Sequence, residues 1–249
     1  AQYCGWGGLA DAFDGNKTAW SKEYAELKAL LTESEYQAAR SSTLTAFFTP
    51  AEVIHPMYRA LERMGVHGGN ILEPSMGTGA FFAHKPSSFD QNNAKLYGVE
   101  LDDLTGRIAK QLYQKARIQI TGFEKATLPD SFFDCAVGNV PFGDFSVIDR
   151  QYDKLHFRIH DYFLAKTIDK VRNGGIIAFI TTSGTMDKKN EEVRRYIAAR
   201  CDLLGAVRLP DTTFKRNAGT QAVADILFLQ KRDRIVERDE PWLHLGETK

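Results

Sequence analysis

The sequence of 249 residues predicts an α/β protein with a doubly wound, mostly parallel seven-stranded sheet, an antiparallel edge strand and an N-terminal helical extension. Three observations favour this fold. The chain contains seven short apolar runs of strand length, most of them are separated by segments with helical patterns, and the last two have no obvious helix between them. Alternating strands and helices are typical of parallel sheets, whereas strands joined without a helix can pair in antiparallel fashion.

The first elements expected are helices. Residues 22–40 are rich in strong helix formers. A second helix is expected after Thr49 and Pro50, with Thr49 as its N-cap and Pro50 in its first turn. Apolar residues recur there at helical spacing: Val53, Ile54, Met57, Leu61 and Met64.

The strands are expected at the seven apolar runs. These lie near residues 70–72, 96–99, 117–120, 133–137, 176–181, 203–209 and 226–229. Ligands of a doubly wound sheet bind outside the carboxyl ends of its strands, so functional residues are expected directly after these runs. We expect residues 46–232 to form the catalytic domain, with residues 1–45 as a helical extension packed on it and residues 233–249 as a charged tail or linker.

Charge and cysteine content limit the class of protein. Lysines plus arginines number 32, as do aspartates plus glutamates, so any contact with nucleic acid must rest on a local patch. Cys4, Cys135 and Cys201 are far apart and show no C-x-x-C spacing, which argues against a disulfide framework or a zinc site and favours a reducing compartment. We therefore expect a cytoplasmic protein.

Membrane and metal partners are not expected. No apolar run approaches the ~18 residues that a membrane-spanning helix needs. His156 and His160 are four residues apart, but no third ligand is suggested beside them, so no metal is predicted. Because the chain begins with Ala1 rather than methionine, we expect it to be part of a longer protein.

The stretch I-L-E-P-S-M-G-T-G-A-F-F, residues 71–82, predicts a cofactor-binding loop between a strand and a helix. Gly77 and Gly79 allow the backbone to approach a ligand closely. The loop is a poor dinucleotide motif, because Phe82 replaces the third glycine and Glu73 would repel a pyrophosphate. The alternative is a plain strand-to-helix connection.

A second acidic residue points to the same kind of ligand. Glu100, in L-Y-G-V-E-L-D, ends the next strand at the spacing typical of a carboxylate that accepts hydrogen bonds from ribose hydroxyls. An adenosine without phosphates suits both acidic residues. S-adenosylmethionine meets this description, because its sulfonium cation tolerates nearby carboxylates.

The stretch F-D-C-A-V-G-N-V-P-F-G, residues 133–143, predicts a strand that ends in a functional tip. An amino group conjugated to a ring is a poor nucleophile. The Asn139 side-chain oxygen and a backbone carbonyl at Val140 or Pro141 could accept hydrogen bonds from such a group and draw its lone pair out of conjugation. Phe142 would stack on a base flipped out of a duplex. The alternative is an ordinary turn with a buried phenylalanine.

These motifs resemble those of adenine-specific DNA methyltransferases of the gamma arrangement. The similar segments are A-F-F-T-P, E-P-S-M-G-T-G, V-E-L-D and G-N-V-P-F, and they occur in the family's order. The resemblance implies an S-adenosylmethionine-dependent methyltransferase fold and a catalytic set of Asn139, Pro141 and Phe142. The family's motif is usually Asn-Pro-Pro-aromatic, so Val140 replaces the first proline, and we expect a less rigid turn.

The resemblance also implies which residues bind S-adenosylmethionine. The methionine end would contact Phe48, Thr49 and Pro50. The cofactor loop would contribute Glu73, Pro74, Ser75, Gly77 and Gly79. Glu100 would bind the ribose with Leu101 beside it, Phe123 or Glu124 would border the adenine ring, and Asn139 would face the cofactor as well as the substrate.

Further segments resemble the methylase part of large bacterial mobile-element proteins, in which it is joined to a helicase. They are Y-C-G-W-G-G-L, H-D-Y-F at residues 160–163, and A-V-R-L-P-D-T-T-F through D-I-L-F-L-Q-K-R. This resemblance implies duplex DNA with a flipped adenine as the substrate, in the context of restriction and modification. It also implies a helicase or sequence-recognition region elsewhere in the full-length protein.

Two other functions stay open at the level of sequence. One is a methyltransferase that acts on an RNA base or a protein glutamine, since an Asn-Pro-Pro-aromatic motif occurs in those enzymes too. The other is a non-catalytic DNA-binding module, suggested by Val140 and by the lack of an evident recognition region. The basic segment from Lys188 to Arg216 is expected to be either a DNA contact or a solvated helix face.

Overall fold

The computed structural model describes residues 6–43, 49–214 and 223–246. Its seven strands form one sheet in the order β3-β2-β1-β4-β5-β7-β6. The strands are β1 (Asn70–Glu73), β2 (Lys95–Glu100), β3 (Arg117–Ile120), β4 (Phe133–Asn139), β5 (Val171–Thr182), β6 (Cys201–Arg208) and β7 (Ala224–Lys231). The first five pair in parallel, and β7 runs antiparallel to both β5 and β6. The predicted mostly parallel sheet is confirmed, and its reversed strand lies next to the β6 edge.

Helices cover both faces of this sheet. The helices are α1 (Ser21–Leu30), α2 (Glu33–Ser42), α3 (Ala51–Arg63), α4 (Ala80–Ala83), α5 (Ser87–Gln91), α6 (Asp103–Leu112), α7 (Ile159–Lys170), α8 (Gly184–Asp187) and α9 (Glu192–Arg200). None of them, within the described ranges, is long and apolar enough to cross a bilayer.

The core has two layers because side chains alternate across each strand. In β4, Cys135 and Val137 pack into a core with α3, whereas Ala136 packs into a core with α7 and α9. Because both faces of β4 are covered, most of its residues are apolar, as is usual for buried parallel strands. Asp134 near its start accepts from the Asn70 N–H at 2.8 Å and pairs with Arg172, and Asn139 is the polar residue at its carboxyl end.

The N-terminal helical region differs from the prediction in one respect. Residues 22–40 are not one helix, because the chain breaks between α1 and α2. Thr32 caps α2 in a reciprocal capping box: its hydroxyl accepts from the Glu35 N–H at 3.3 Å, and the Glu35 carboxylate accepts from the Thr32 N–H at 3.0 Å. These bonds satisfy amides at the start of a new helix, which favours a break over continuation.

The start of α3 also lies one residue later than predicted. The helix begins at Ala51, and Pro50, which is in an extended conformation, occupies the N-cap position. No side chain caps this helix end. Thr49 is therefore outside the helix, and its buried side chain is available to the cavity described below.

The segments that precede and follow the sheet domain in the chain both pack against it. In the extension, α2 contacts α6 through an ion pair between Glu35 and Arg107. Trp6, Trp20 and Tyr24 pack against the small apolar core of this region. At the other end of the chain, Leu243 is fully buried, and its carbonyl accepts a hydrogen bond from Arg194 Nε at 2.7 Å.

Candidate active site

A cavity of about 440 Å³ lies at the carboxyl ends of β1, β2, β3 and β4. Its volume is in the range of small-molecule sites. Most of the residues predicted to bind the cofactor or substrate line it: Thr49, Glu73, Pro74, Ser75, Gly77, Glu100, Leu101, Phe123, Glu124, Asn139 and Pro141. Pro50, Gly79 and Phe142 are not on its wall, and Phe48 lies outside the described residues.

The loop after β1 is shaped by two glycines with positive φ. Gly77 has φ +55° and Gly79 has φ +86°, a region that favours glycine. The Gly77 N–H donates to Glu100 Oε2 at 2.8 Å. An amide that would face a phosphate in a phosphate-binding loop is thus already satisfied by a carboxylate, which agrees with a ligand that carries no phosphate.

Gly79 allows this loop to pack closely against Tyr113. A Cβ at this position would overlap the Tyr113 ring, whose hydroxyl donates to the Gly79 carbonyl at 2.8 Å. The glycine is therefore needed for close packing of the loop against the chain after α6. This is a structural contribution next to the cavity.

Two carboxyl groups, the buried Glu73 and the partly buried Glu100, lie on the cavity wall. Glu73 is only 2% exposed, and its Oε2 accepts no hydrogen bond from the described part of the chain. Burial, followed by the charge of Glu100, raises the pKa of Glu73 well above its usual range. Burial also raises the pKa of Glu100 to about 7, although backbone N–H groups of Asp102 and Gly77 oppose the shift.

These carboxyl groups fit a cationic ligand. A buried carboxylate oxygen without a donor gains most from a positive charge placed beside it. Apolar side chains surround another part of the same cavity, where the Phe123 and Phe163 rings lie 4.8 Å apart between centroids. An acidic region beside an aromatic one matches the sulfonium and adenine parts of S-adenosylmethionine.

The tip after β4 is held by two hydrogen bonds. Ser75 Oγ donates to the Asn139 carbonyl oxygen at 2.8 Å. The Val140 N–H donates to the Ile180 carbonyl at 3.0 Å, and the Val140 side chain is 2% exposed. A proline at position 140 could not donate this bond. This hydrogen bond and the packing of its side chain hold Val140 in place, while the less rigid turn expected from it stays a prediction.

The aromatic residues near the tip have different surroundings. Phe142 is partly buried and packs against both hydrophobic cores. Phe145 is 48% exposed and lines the cavity. A Cβ at Gly143 would overlap the Phe145 ring, so the glycine makes room for it. Stacking was predicted for Phe142 and not for Phe145, although Gly143 followed by a second aromatic residue two positions later was a usable signal.

Several other residues of the cavity wall were not predicted from the sequence. They are Ala38, Ser41 and Ser42 from α2, Met76, Ala80 and Phe81 near the cofactor loop, Asp102, Thr105, Thr121 and Gly122 beyond β2 and β3, and Val147, Ile159 and Phe163 before and within α7. Asp102 had a local signal, since it caps α6 by accepting from the Thr105 N–H at 2.8 Å. The α2 residues had none, because only tertiary packing brings them to the cavity.

The histidines singled out in the sequence do not converge. His156 is exposed and has φ +51°, whereas His160 is buried, and burial lowers its pKa. Beside His160, the buried Asp161 carboxylate accepts from Thr185 Oγ1 at 3.0 Å and pairs with Lys188. Within the described ranges, no three His, Cys, Asp or Glu side chains are grouped as metal ligands would be.

The basic segment is largely neutralised by its own neighbours. Arg194 is fully buried and donates to backbone carbonyls. The remaining pairs are Lys188 with Asp161, Arg195 with Glu191 and Asp239, and Arg208 with Asp187 and Asp225. Lys215 and Arg216 lie outside the described residues. Lys189 is exposed and forms no ion pair with the described residues, so the free positive charge that the described part of this segment offers DNA is small.

Comparison with solved structures places the fold among methyltransferases. The type I restriction-modification system methyltransferase subunit from Streptococcus thermophilus superposes with a TM-score of 0.64 at 17% identity. The alignment covers 87% of this chain and 53% of that subunit. The shared architecture is the S-adenosylmethionine-dependent methyltransferase fold expected from the sequence.

Two curated proteins are similar to this chain in sequence. Defense against restriction protein B of Escherichia phage P1 is 28% identical over 225 residues, which is 88% of this chain and 10% of the phage protein. Modification methylase CviBIII of Paramecium bursaria Chlorella virus NC1A is 29% identical over 223 residues, 81% of this chain and 55% of that methylase. The chain thus spans about half or less of the curated relatives it matches. Residues 30–243 match the N-6 DNA Methylase family, and the chain belongs to that family.

Proposed function

We propose that this chain transfers a methyl group from S-adenosylmethionine to the exocyclic amino group of adenine in DNA. The observation that carries the proposal is that the acidic cofactor region and the Asn139 tip line one cavity. The hydrogen bond from Ser75 Oγ to the Asn139 carbonyl joins the two regions directly. Membership in the N-6 DNA Methylase family supports adenine in DNA over an RNA base or a protein glutamine.

The cavity contains residues suited to each part of the cofactor. Glu73 and Thr49 would hold the cationic methionine end, Glu100 and Leu101 would hold the ribose, and Phe123 would border the adenine ring. When bound, S-adenosylmethionine supplies an electrophilic methyl group. Apolar residues such as Leu101, which is 73% exposed although it lines the cavity, would lose that exposure on binding.

The tip residues act on the substrate amino group by hydrogen bonding. The Asn139 side-chain oxygen and a carbonyl at Val140 or Pro141 would accept its two N–H groups, which draws the nitrogen lone pair out of conjugation with the ring. Such acceptors work best when the protein holds them in place beforehand. The bond from Val140 N–H to Ile180 supplies that rigidity in the absence of the family's first proline.

The proposed domain bounds are related to the cavity in the following way. We propose residues 46–232 as the catalytic domain and residues 1–45 as an extension that completes its cavity, since Ser41 and Ser42 of α2 line the wall. Sequence recognition, and any helicase activity, would reside in further regions of the full-length protein. The buried free thiols of Cys135 and Cys201 are in keeping with a cytoplasmic setting.

The test is a methyl-transfer assay with labelled S-adenosylmethionine. Duplex DNA, single-stranded DNA, RNA and cell protein are offered in parallel, and each is digested to locate the label. We expect label on N6-methyladenine from DNA. Label confined to RNA or protein would overturn the proposal, and cofactor binding without any transfer would identify a non-catalytic module.

The matched variants are Asn139→Ala and Asn173→Ala. Asn173 is exposed near the start of β5, at the opposite end of the sheet from the cavity. We expect Asn139→Ala to slow transfer by about 100-fold or more, as loss of a preorganised hydrogen-bonding group does elsewhere. Asn173→Ala should match the unsubstituted chain, and cofactor binding should persist in both.

A further inference from the structure

We propose that Ile148 is an apolar wedge that enters the DNA duplex when the target adenine occupies the cavity. This inference rests on the proposed function, since it concerns how the same site receives a base from a duplex. Base flipping requires that the target base lose its stacking and pairing in the duplex. DNA-binding proteins often insert apolar side chains between base steps that they unstack.

Ile148 is adjacent in sequence to residues of the cavity wall. Residues 143–158 form a loop that leaves the tip after Phe142 and returns at Ile159, whose N–H donates to the Phe145 carbonyl at 2.8 Å. Phe145 and Val147 of this loop line the cavity. Ile148 follows directly, is 85% exposed and is not on the wall.

A ligand bound in the cavity would leave the Ile148 side chain exposed, so we infer that its partner lies outside the cavity. Leu101 and Phe145 are also exposed apolar residues, but both line the cavity, so a bound cofactor or base would cover them. Ile148 is not covered by a ligand in that cavity. Because the adjacent Val147 lines the cavity, we infer that a duplex delivering a base to it passes close to the Ile148 side chain.

The loop holds Ile148 on a fixed backbone. The next residue, Asp149, accepts hydrogen bonds from Tyr162 Oη at 2.7 Å and from Lys166 Nζ at 2.9 Å. The Asp149 N–H also donates to Asp153 Oδ1 at 2.8 Å. The Asp149 and Lys166 side chains are largely buried. An anchored backbone spends little conformational entropy on inserting its side chain, which suits a wedge.

The loop carries cations near Ile148 that suit contact with a phosphate backbone. Arg150 and Lys154 are exposed and form no ion pair with the described residues. Two of the loop's acidic groups are already paired: Asp149 with Lys166, and Asp144 with Arg158 at 3.2 Å. Asp153, which is exposed, accepts the Asp149 N–H. The cations therefore remain available for phosphates.

The first test compares Ile148→Asp with Ile235→Asp. Ile235 is 64% exposed and follows β7, whose end lies opposite the cavity, so it is the matched control. Methyl transfer to unmethylated genomic DNA is measured with the duplex and with the same DNA after heat denaturation. We expect Ile148→Asp to slow transfer to duplex at least about tenfold, with little effect on denatured DNA, because only the duplex requires unstacking. Ile148→Leu should restore the duplex rate.

A second measurement detects contact between position 148 and DNA independently of methyl transfer. Duplex DNA should quench the fluorescence of an Ile148→Trp variant by stacking, and it should leave an Ile235→Trp variant unchanged. Absence of quenching, or equal slowing of transfer to duplex and denatured DNA by Ile148→Asp, would overturn the wedge. Failure of the unsubstituted chain to methylate any DNA would instead overturn the proposed function, so the two failures are distinguishable.

Discussion

Ser75 Oγ donates a hydrogen bond to the backbone carbonyl of Asn139 at 2.8 Å, which links the loop after β1 to the tip after β4. Ser75 follows β1 and Asn139 ends β4, which are neighbouring parallel strands, and both residues line the cavity. This bond positions the tip relative to the cofactor region, so its removal should affect transfer more than cofactor binding.

Ser75→Ala tests that relationship. A neutral hydrogen bond contributes about 0.5–1.5 kcal/mol, so kcat should fall by roughly 2- to 10-fold. The cofactor Kd should change less. The control is Ser88→Ala, which removes a hydroxyl that donates to Glu62 Oε1 at 2.6 Å and lies away from the cavity. An unchanged kcat for Ser75→Ala would mean that the tip is positioned without this bond.

The pKa of Glu100 predicts a pH-dependent cofactor affinity. Because burial raises this pKa to about 7, the group is mostly protonated below neutrality and ionised above it. A cationic ligand favours the ionised form, so the Kd of S-adenosylmethionine should fall by up to roughly tenfold between about pH 6 and about pH 8. Calorimetric titration measures this. Glu100→Gln should flatten the profile, whereas Glu124→Gln should retain it.

The same shift predicts the pH dependence of folding in the free protein. The folded state binds a proton at Glu100 more tightly than the unfolded chain does. Its contribution to the free energy of unfolding is therefore complete below the ordinary pKa of 4.5 and is lost as the pH rises through about 7. Thermal unfolding of Glu100→Gln should lack this part of the profile. An identical profile for both proteins would contradict the assignment.

Val140→Pro should destabilise the protein although it restores the family's motif. The substitution removes the N–H that donates to the Ile180 carbonyl. Loss of one such bond costs about 1 kcal/mol, which lowers Tm by roughly 2–4 °C for a domain of this size. Scanning calorimetry gives the value. Val140→Ala keeps the N–H and should keep the tip in place, so its kcat should stay near that of the unsubstituted chain; an unchanged or higher Tm for Val140→Pro would count against the bond.

Alanine substitutions of Phe142 and Phe145 should have different effects, the first on stability and the second on binding. Phe142 packs against both cores, so Phe142→Ala should lower the free energy of unfolding by about 3 kcal/mol. Phe145 is half exposed on the cavity wall, so Phe145→Ala should cost less than about 1 kcal/mol but raise the KM for cofactor or DNA. Urea unfolding and steady-state kinetics measure the two effects. The reverse pattern would return the stacking role to Phe142.

Much of the candidate site could be predicted because its residues follow strand ends. Glu73, Glu100 and Asn139 each end a parallel strand, and parallel strands present their carboxyl ends at one edge of the sheet. The strand positions and the parallel arrangement expected from the alternating pattern were therefore enough to predict that these three residues lie at one edge of the sheet. The break between α1 and α2 was missed because overall helix propensity masked a capping box centred on Thr32 and Glu35.

The sequence by itself determined the strand pattern, the positions that need glycine and the polar residues at strand ends, because these depend on periodicity and backbone conformation within a few residues. Only the tertiary structure decided that α2 forms part of the wall, that Val140 joins the ladder with β5, and that Phe145 rather than Phe142 faces the cavity. Each of these depends on contacts between segments distant in sequence, whose energies have no signature in local composition.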